Sequence, residues 1–184
     1  MTHYYQKLIG ENWFNYEDFY SFVIDNLPTE SKMVEIGSWL GRSISYFAVE
    51  SKIKNKNIMC YCVDIWRPYD EIPKHELFNN DNLYNQFLLN TERVKDIVIP
   101  FRGNSQEMSY KFDDNFFDFI FIDGAHDYQN VYDDIKLWLP KLKKNRIIGG
   151  HDYYIGNDVY RAVNDFFGKE KVKVNGPCWY VLIH

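Results

Sequence analysis

Apolar residues along the chain fall into short runs separated by stretches of helical spacing. Met33-Val34-Glu35-Ile36, Ile58 to Asp64, Ile97 to Arg102, Phe116 to Asp123 and Arg146 to Gly150 are nearly continuous runs, the pattern of strands buried on both faces. Lys171 to Val174 and Trp179 to Ile183 add two closing strands, with Gly176-Pro177 as the turn between them. Elsewhere apolar side chains recur every three or four positions. Tyr16, Phe19, Tyr20 and Val23 do so ahead of Pro28, then Ile44, Phe47 and Ala48, then Leu83, Phe87 and Asn90 within 81–93. Tyr128, Val131, Ile135 and Trp138 follow ahead of Pro140, and Val159, Ala162, Val163 and Phe166 within 158–167. This alternation predicts an α/β fold with one doubly wound, mostly parallel sheet of seven strands, and all of 1–184 as a single domain.

Strand ends are where such sheets place ligands, and here they carry polar groups. Glu35 closes the first run, and Gly37-Ser38-Trp39-Leu40-Gly41-Arg42-Ser43 leads into the next helix. Glycines in that turn let backbone approach a bound molecule, and the free N–H groups of the helix offer donors. The spacing is neither Gly-x-Gly-x-x-Gly nor a Gly-Lys-Ser phosphate loop, which argues against a pyrophosphate. Asp64 ends the second run about twenty residues beyond the turn, where a carboxylate reaches a ribose hydroxyl. Asp123 and His126 follow the fourth run, and His151 and Asp152 follow the fifth. Adjacent strand tips therefore bring carboxylates and imidazoles into one cleft, suited to general-base chemistry or to a divalent metal. Asp118 interrupts the fourth run, and a wet position at the start of that strand is the expectation for it. After the third run, Ser105 is the expected N-cap of the next helix.

Two further segments draw attention. Residues 66–90 break the rhythm with prolines, asparagines and charges, so a substrate-contacting insertion is expected there, lined by Trp66, Arg67, Tyr69 and His75. Residues 1–30 are expected to form a helical cap on one sheet edge, the alternative being a lid or dimer arm over the site.

Composition narrows the partners. The 184 residues are 46% apolar and 18% aromatic, with a formal net charge of -5 and no long basic run. Small molecules therefore fit better than nucleic acid. No apolar run reaches the ~20 residues needed to span a bilayer. Cys60, Cys62 and Cys178 show no metal spacing, and Cys60 and Cys62 share one strand face as packing residues. An odd cysteine count without a signal peptide points to a reducing, cytoplasmic setting.

The Glu35-x-Gly37-x-x-x-Gly41 turn resembles motif I of the class I S-adenosylmethionine-dependent methyltransferases. The stretch from Ile122 to Tyr153, with its Ile-Asp-Gly-Ala-His-Asp-Tyr and Gly-Gly-His-Asp-Tyr motifs, resembles the small-molecule branch grouped with macrocin and other sugar O-methyltransferases, and more distantly catechol O-methyltransferase. The resemblance covers about residues 31 to 155. It implies that the last two strands form an antiparallel pair. It assigns Glu35, Gly37, Ser38, Gly41 and Ser43, then Asp64 and Ile65, then Asn104 and Ser105, and finally Asp123, to the S-adenosylmethionine site. It also assigns Asp123, His151 and Asp152 to magnesium or manganese. His151 stands where an oxygen ligand is usual, so manganese or no metal at all stays open.

The expected function is methyl transfer to a hydroxyl oxygen of a sugar or polyhydroxylated metabolite, with His126 as general base and Asp123 beside it. Alternatives are a non-catalytic cofactor- or glycan-binding member of the fold, or a nicotinamide-dependent oxidoreductase. The expected partner is a small-molecule acceptor, with a homodimer left open and neither nucleic acid nor membrane expected.

Overall fold

The computed structural model describes residues 2–67 and 82–184. Its sheet has seven strands in the order β3-β2-β1-β4-β5-β7-β6. These are β1 (Lys32–Ile36), β2 (Met59–Asp64), β3 (Val98–Arg102), β4 (Phe117–Ile122), β5 (Leu142–Gly150), β6 (Lys173–Asn175) and β7 (Cys178–Ile183). The first five are parallel to one another, while β7 runs antiparallel to both β5 and β6. The helices are α1 (Glu17–Asn26), α2 (Arg42–Ile53), α3 (Asn82–Thr91), α4 (Ser105–Ser109), α5 (Tyr128–Trp138) and α6 (Asp158–Phe167).

Alternation along the strands divides the core in two. Met33, Cys60, Cys62, Phe119 and Phe121 face α1, α2 and α3, where they meet Phe19, Val23, Ile44, Phe47 and Phe87. Val34, Ile36, Val63, Ile120 and Ile122 face the other way, onto Val131, Ile135 and Trp138 of α5 and Val159, Ala162 and Val163 of α6. Cys60 and Cys62 are fully buried, unpaired thiols, as their shared strand face implies. No described helix is long and apolar enough to cross a membrane.

Three local expectations are corrected. Asp118 is not a wet strand start: it is 4% exposed within β4. Its carboxylate takes Lys143 Nζ at 2.8 Å, Arg146 Nε at 3.2 Å and the Lys32 N–H at 3.0 Å, which is how a sheet buries a charge. The N-cap of α4 is Asn104, whose side chain accepts from Gln106 N and Glu107 N, so Ser105 is freed for another contact. β5 begins at Leu142, four residues before the apolar run, and passes through Asn145 at φ +56. Leu142 pairs with Phe117 of β4 and Arg146 with Ile183 of β7, while the register shift between Phe117 and Phe119 takes up Lys143, Lys144 and Asn145 between them. The proposed lining residues Tyr69 and His75 lie outside the described residues. Trp66 is 1% exposed, packed on Tyr84 and Phe87.

Candidate active site

A cavity of about 830 Å³ opens at the carboxyl ends of the parallel strands. Its wall is built from the turn after β1, the tips of β2 and β3, the loops after β4 and β5, and the segment Glu11 to Tyr16 ahead of α1. That volume suits a ligand the size of a nucleoside with a substituent.

The turn after β1 depends on its glycines for packing. Gly37 has φ +87, and a Cβ there would lie 2.0 Å from the Asp123 carbonyl oxygen, so only glycine lets this turn nest against the end of β4. Gly41, at φ +77, is the left-handed N-cap of α2, and a Cβ there would meet Thr91 and Phe87. Gly37 lines the cavity, whereas Gly41 faces α3. Glu35 does not line it either. The residue is fully buried beneath the turn, where its carboxylate accepts from Tyr20 Oη at 2.7 Å and Ser43 Oγ at 3.0 Å. Burial pushes its pKa up to about 7 against the lowering effect of those hydrogen bonds.

Asp64 has a similar supporting task at the tip of β2. Trp39 and Trp66 both sit in the left-handed region, at φ +43 and +42, where bulky side chains are rarely found. Asp64 accepts both of their backbone N–H groups, at 2.8 and 2.7 Å, and the Trp66 indole N–H donates to the Trp39 carbonyl at 2.7 Å. The carboxylate thereby stabilises two strained residues, of which Trp39 lines the cavity and Trp66 is buried behind it, while itself remaining on the lining. Ser38, Ser43, Ile65, Asn104 and Ser105 line the same cavity.

On the opposite side, Ser105 donates to Asp134 Oδ1 at 2.5 Å. Asp134 is 3% exposed on α5, and burial raises its pKa to about 6.

The acid and imidazole groups converge as their strand ends imply. His126 Nε2 lies 2.9 Å from Asp152 Oδ2, and His151 Nδ1 lies 3.2 Å from the same oxygen and 3.3 Å from Asp123 Oδ1. Burial works against a charged His151, but the two carboxylates outweigh it and lift its pKa to about 9. Despite its own burial, Asp152 is held well below the usual carboxylate range by the two imidazoles. Two residues ahead of α1 complete the cluster. Tyr16 Oη donates to Asp123 Oδ2 at 2.8 Å, and Asn15 Oδ1 lies 2.9 Å from His151 Nε2.

Among the described residues, the set whose ligand atoms fall within 4.8 Å of one another is Asp123, His126 and Asp152. That set has His126 in place of the expected His151, whose ring contacts Asn15 on one nitrogen and the two carboxylates on the other. Asn15, Tyr16, Trp13, Trp39 and Asp134 are site residues that sequence reading passes over.

A family described as a methyltransferase domain matches residues 34–153. An uncharacterized protein, y4gI, of Sinorhizobium fredii is 26% identical over 121 residues, which are 66% of this chain and 13% of that relative. The chain thus matches only a small part of that relative's length. Among solved structures, a Staphylococcus aureus protein provisionally assigned as a caffeoyl-CoA O-methyltransferase superposes with a TM-score of 0.59 at 18% identity, covering 96% of this chain and 87% of that one. The TDP-rhamnose 3'-O-methyltransferase CalS11 of calicheamicin biosynthesis gives 0.62 at 12% identity, covering 90% and 76%. A methyltransferase from Geobacter sulfurreducens gives 0.60 at 13%, covering 91% and 78%. At such identities the likeness is one of fold.

Proposed function

We propose that this chain, which belongs to the methyltransferase-domain family, transfers a methyl group from S-adenosylmethionine to a hydroxyl oxygen of a small molecule, a sugar or another polyhydroxylated metabolite. The observation that carries the reading is the His126–Asp152 pair, 2.9 Å apart in the same cavity as the glycine turn and Asp64. The residues fit the cofactor. A cavity of about 830 Å³ joins the glycine turn after β1 to a carboxylate at the tip of β2, and strand-end sheets of this kind hold nucleosides there.

When bound, the cofactor supplies an electrophilic methyl group on a sulfonium. The chain does the rest. Positioning supplies much of the rate, because the transfer is a one-step displacement that needs no covalent help. A hydroxyl is a poor nucleophile until its proton leaves, and His126, with Asp152 orienting it, is the group that takes that proton. Asp152 also stabilises the imidazolium so formed. Asp123 stays hydrogen-bonded to Tyr16 and next to His151, which fixes the floor under the acceptor.

The convergence of Asp123, His126 and Asp152 favours a second reading in which they hold a divalent cation. A mixed nitrogen and oxygen set suits manganese better than magnesium. When bound it would acidify the acceptor hydroxyl.

Calorimetric titration with S-adenosylhomocysteine, with and without magnesium or manganese, tests both readings. Micromolar binding without metal supports the first; binding that requires manganese supports the second. No binding in any condition overturns the methyltransferase reading.

A further inference from the structure

Residues 5–16 form an arm that precedes α1 and lies outside the stretch the methyltransferase domain covers. Two buried side chains grip its backbone. The Arg42 guanidinium donates to the carbonyls of Tyr5, of Leu8 at 2.8 Å, of Gly10 at 2.9 Å and of Glu11 at 3.3 Å. Asn90 Nδ2 donates to the Ile9 carbonyl at 3.2 Å and to the Leu40 carbonyl at 2.8 Å. Gly10, at φ +100, is seated so closely that a Cβ would lie 2.0 Å from Leu40 Cδ1.

Arg42 is the first residue of α2, where the helix dipole disfavours a positive charge, and it is 7% exposed. Local preference does not account for a buried guanidinium there. The carbonyls it satisfies lie thirty-one to thirty-seven positions away, all of them in the arm. Beyond these anchors the arm continues as the cavity wall from Glu11 to Tyr16. It ends on the two contacts that hold the cluster, Asn15 with His151 and Tyr16 with Asp123.

We propose that Arg42, helped by Asn90, is a positioning residue that acts through the arm. By strapping residues 5–11 to the turn after β1, it sets Asn15 and Tyr16 so that they fix the His151 ring and the Asp123 carboxylate. The strap ties the turn side of the cavity to the acid and imidazole side. Only the word positioning rests on the methyltransferase reading; the strap itself stands on geometry.

The test uses the full chain and needs no acceptor. Backbone hydrogen exchange reports the arm, and the ring nitrogen resonances of His151, assigned by their loss in His151→Gln, report the cluster. Arg42→Met is expected to speed exchange in residues 5–16 by roughly tenfold or more while the strands of the sheet stay protected. It is also expected to move the His151 ring resonances to where the Asn15→Ala, Tyr16→Phe double variant puts them. That double variant leaves the strap intact, so its arm is expected to stay protected. Gly10→Ala, which unseats the arm without touching Arg42, is expected to reproduce Arg42→Met and keeps the test available if Arg42→Met does not fold. Unchanged arm exchange in Arg42→Met and Gly10→Ala overturns the strap. A freed arm with unmoved His151 resonances overturns the positioning role. Either result is independent of whether S-adenosylhomocysteine binds, which is the separate test of the reaction.

Discussion

His126 and Asp152 meet across the ends of two neighbouring strands, with Nε2 2.9 Å from Oδ2. The imidazole is half exposed and the carboxylate is a quarter exposed, so the pair faces the cavity from a partly wet rim. An imidazole held this way can accept a proton from a ligand hydroxyl and return it to water. His126→Ala is therefore expected to lower methyl transfer by about 10²-fold or more while leaving S-adenosylhomocysteine affinity within about threefold. Transfer of label from S-adenosylmethionine to a panel of sugars and catechols, beside calorimetry, measures both. Full turnover in the variant would remove the general-base role.

Asp64 supports two left-handed tryptophans, Trp39 on the cavity wall and the buried Trp66. Asp64→Ala leaves two N–H groups without their acceptor and lets the turn after β1 relax. The expected result is a loss of S-adenosylhomocysteine affinity of about tenfold or more, which is about 1.4 kcal/mol. Calorimetry on the variant gives the number directly.

Glu35 makes the fold sensitive to pH. Its pKa rises from 4.5 to about 7 on folding, so the native state holds an extra proton between those values. The contribution is fully present below pH 4.5 and is lost as pH climbs to about 7, which amounts to a decline on the order of 3 kcal/mol. Glu35→Gln keeps an acceptor for Tyr20 and Ser43 and removes the titration. Urea unfolding at pH 5 and pH 8 is expected to show a smaller loss of stability in the variant than in the wild type. Equal losses would mean that Glu35 does not titrate in this window.

Asp118 is expected to matter for stability and not for ligands. It lies at the far end of β4 from the cavity and closes a three-way contact with Lys143, Arg146 and the Lys32 N–H. Asp118→Ala leaves that N–H unsatisfied and frees two cations, at a cost of about 2 kcal/mol. Because its partners hold its pKa down against burial, the stabilisation is present at neutral pH and fades in acid. Thermal unfolding of wild type and variant at pH 7 and pH 3 checks both statements.

The five parallel strands were legible as nearly continuous apolar runs, and the two closing strands were read beside them, although β6 is an exposed Lys173–Asn175 where 171–174 was expected. The convergence of Asp123, His126, His151 and Asp152 was legible too, since neighbouring parallel strands must end side by side. Other features depend on distant partners, which no local pattern records. Asp118 is buried because Lys143 and Arg146 arrive from another strand. Glu35 looked like a ligand contact, but Tyr20 and Ser43 close over it. Asn15 and Tyr16 reach His151 and Asp123 from more than a hundred positions away, so nothing near them in the chain marks them. Half of β5 was hidden because its lysines and asparagine fall at the register shift opposite Phe117 to Phe119, where no apolar run marks a strand.

The place of β7 sets the order in which the molecule can be finished. Gly149 and Gly150, which lead to His151, pair with Tyr180 and Trp179, and the Trp179 indole occupies the space a side chain at 150 would need. The Pro177 carbonyl holds the Tyr153 N–H at 3.0 Å just beyond the site. During synthesis the first five strands can emerge and begin to pair, yet the strand tip bearing His151 and Asp152 stays without its outer neighbour until residues 178–183 have left the ribosome. Ligand competence is thus a late event, and a nascent chain stalled before Cys178 carries an open edge on β5, which invites pairing with another chain.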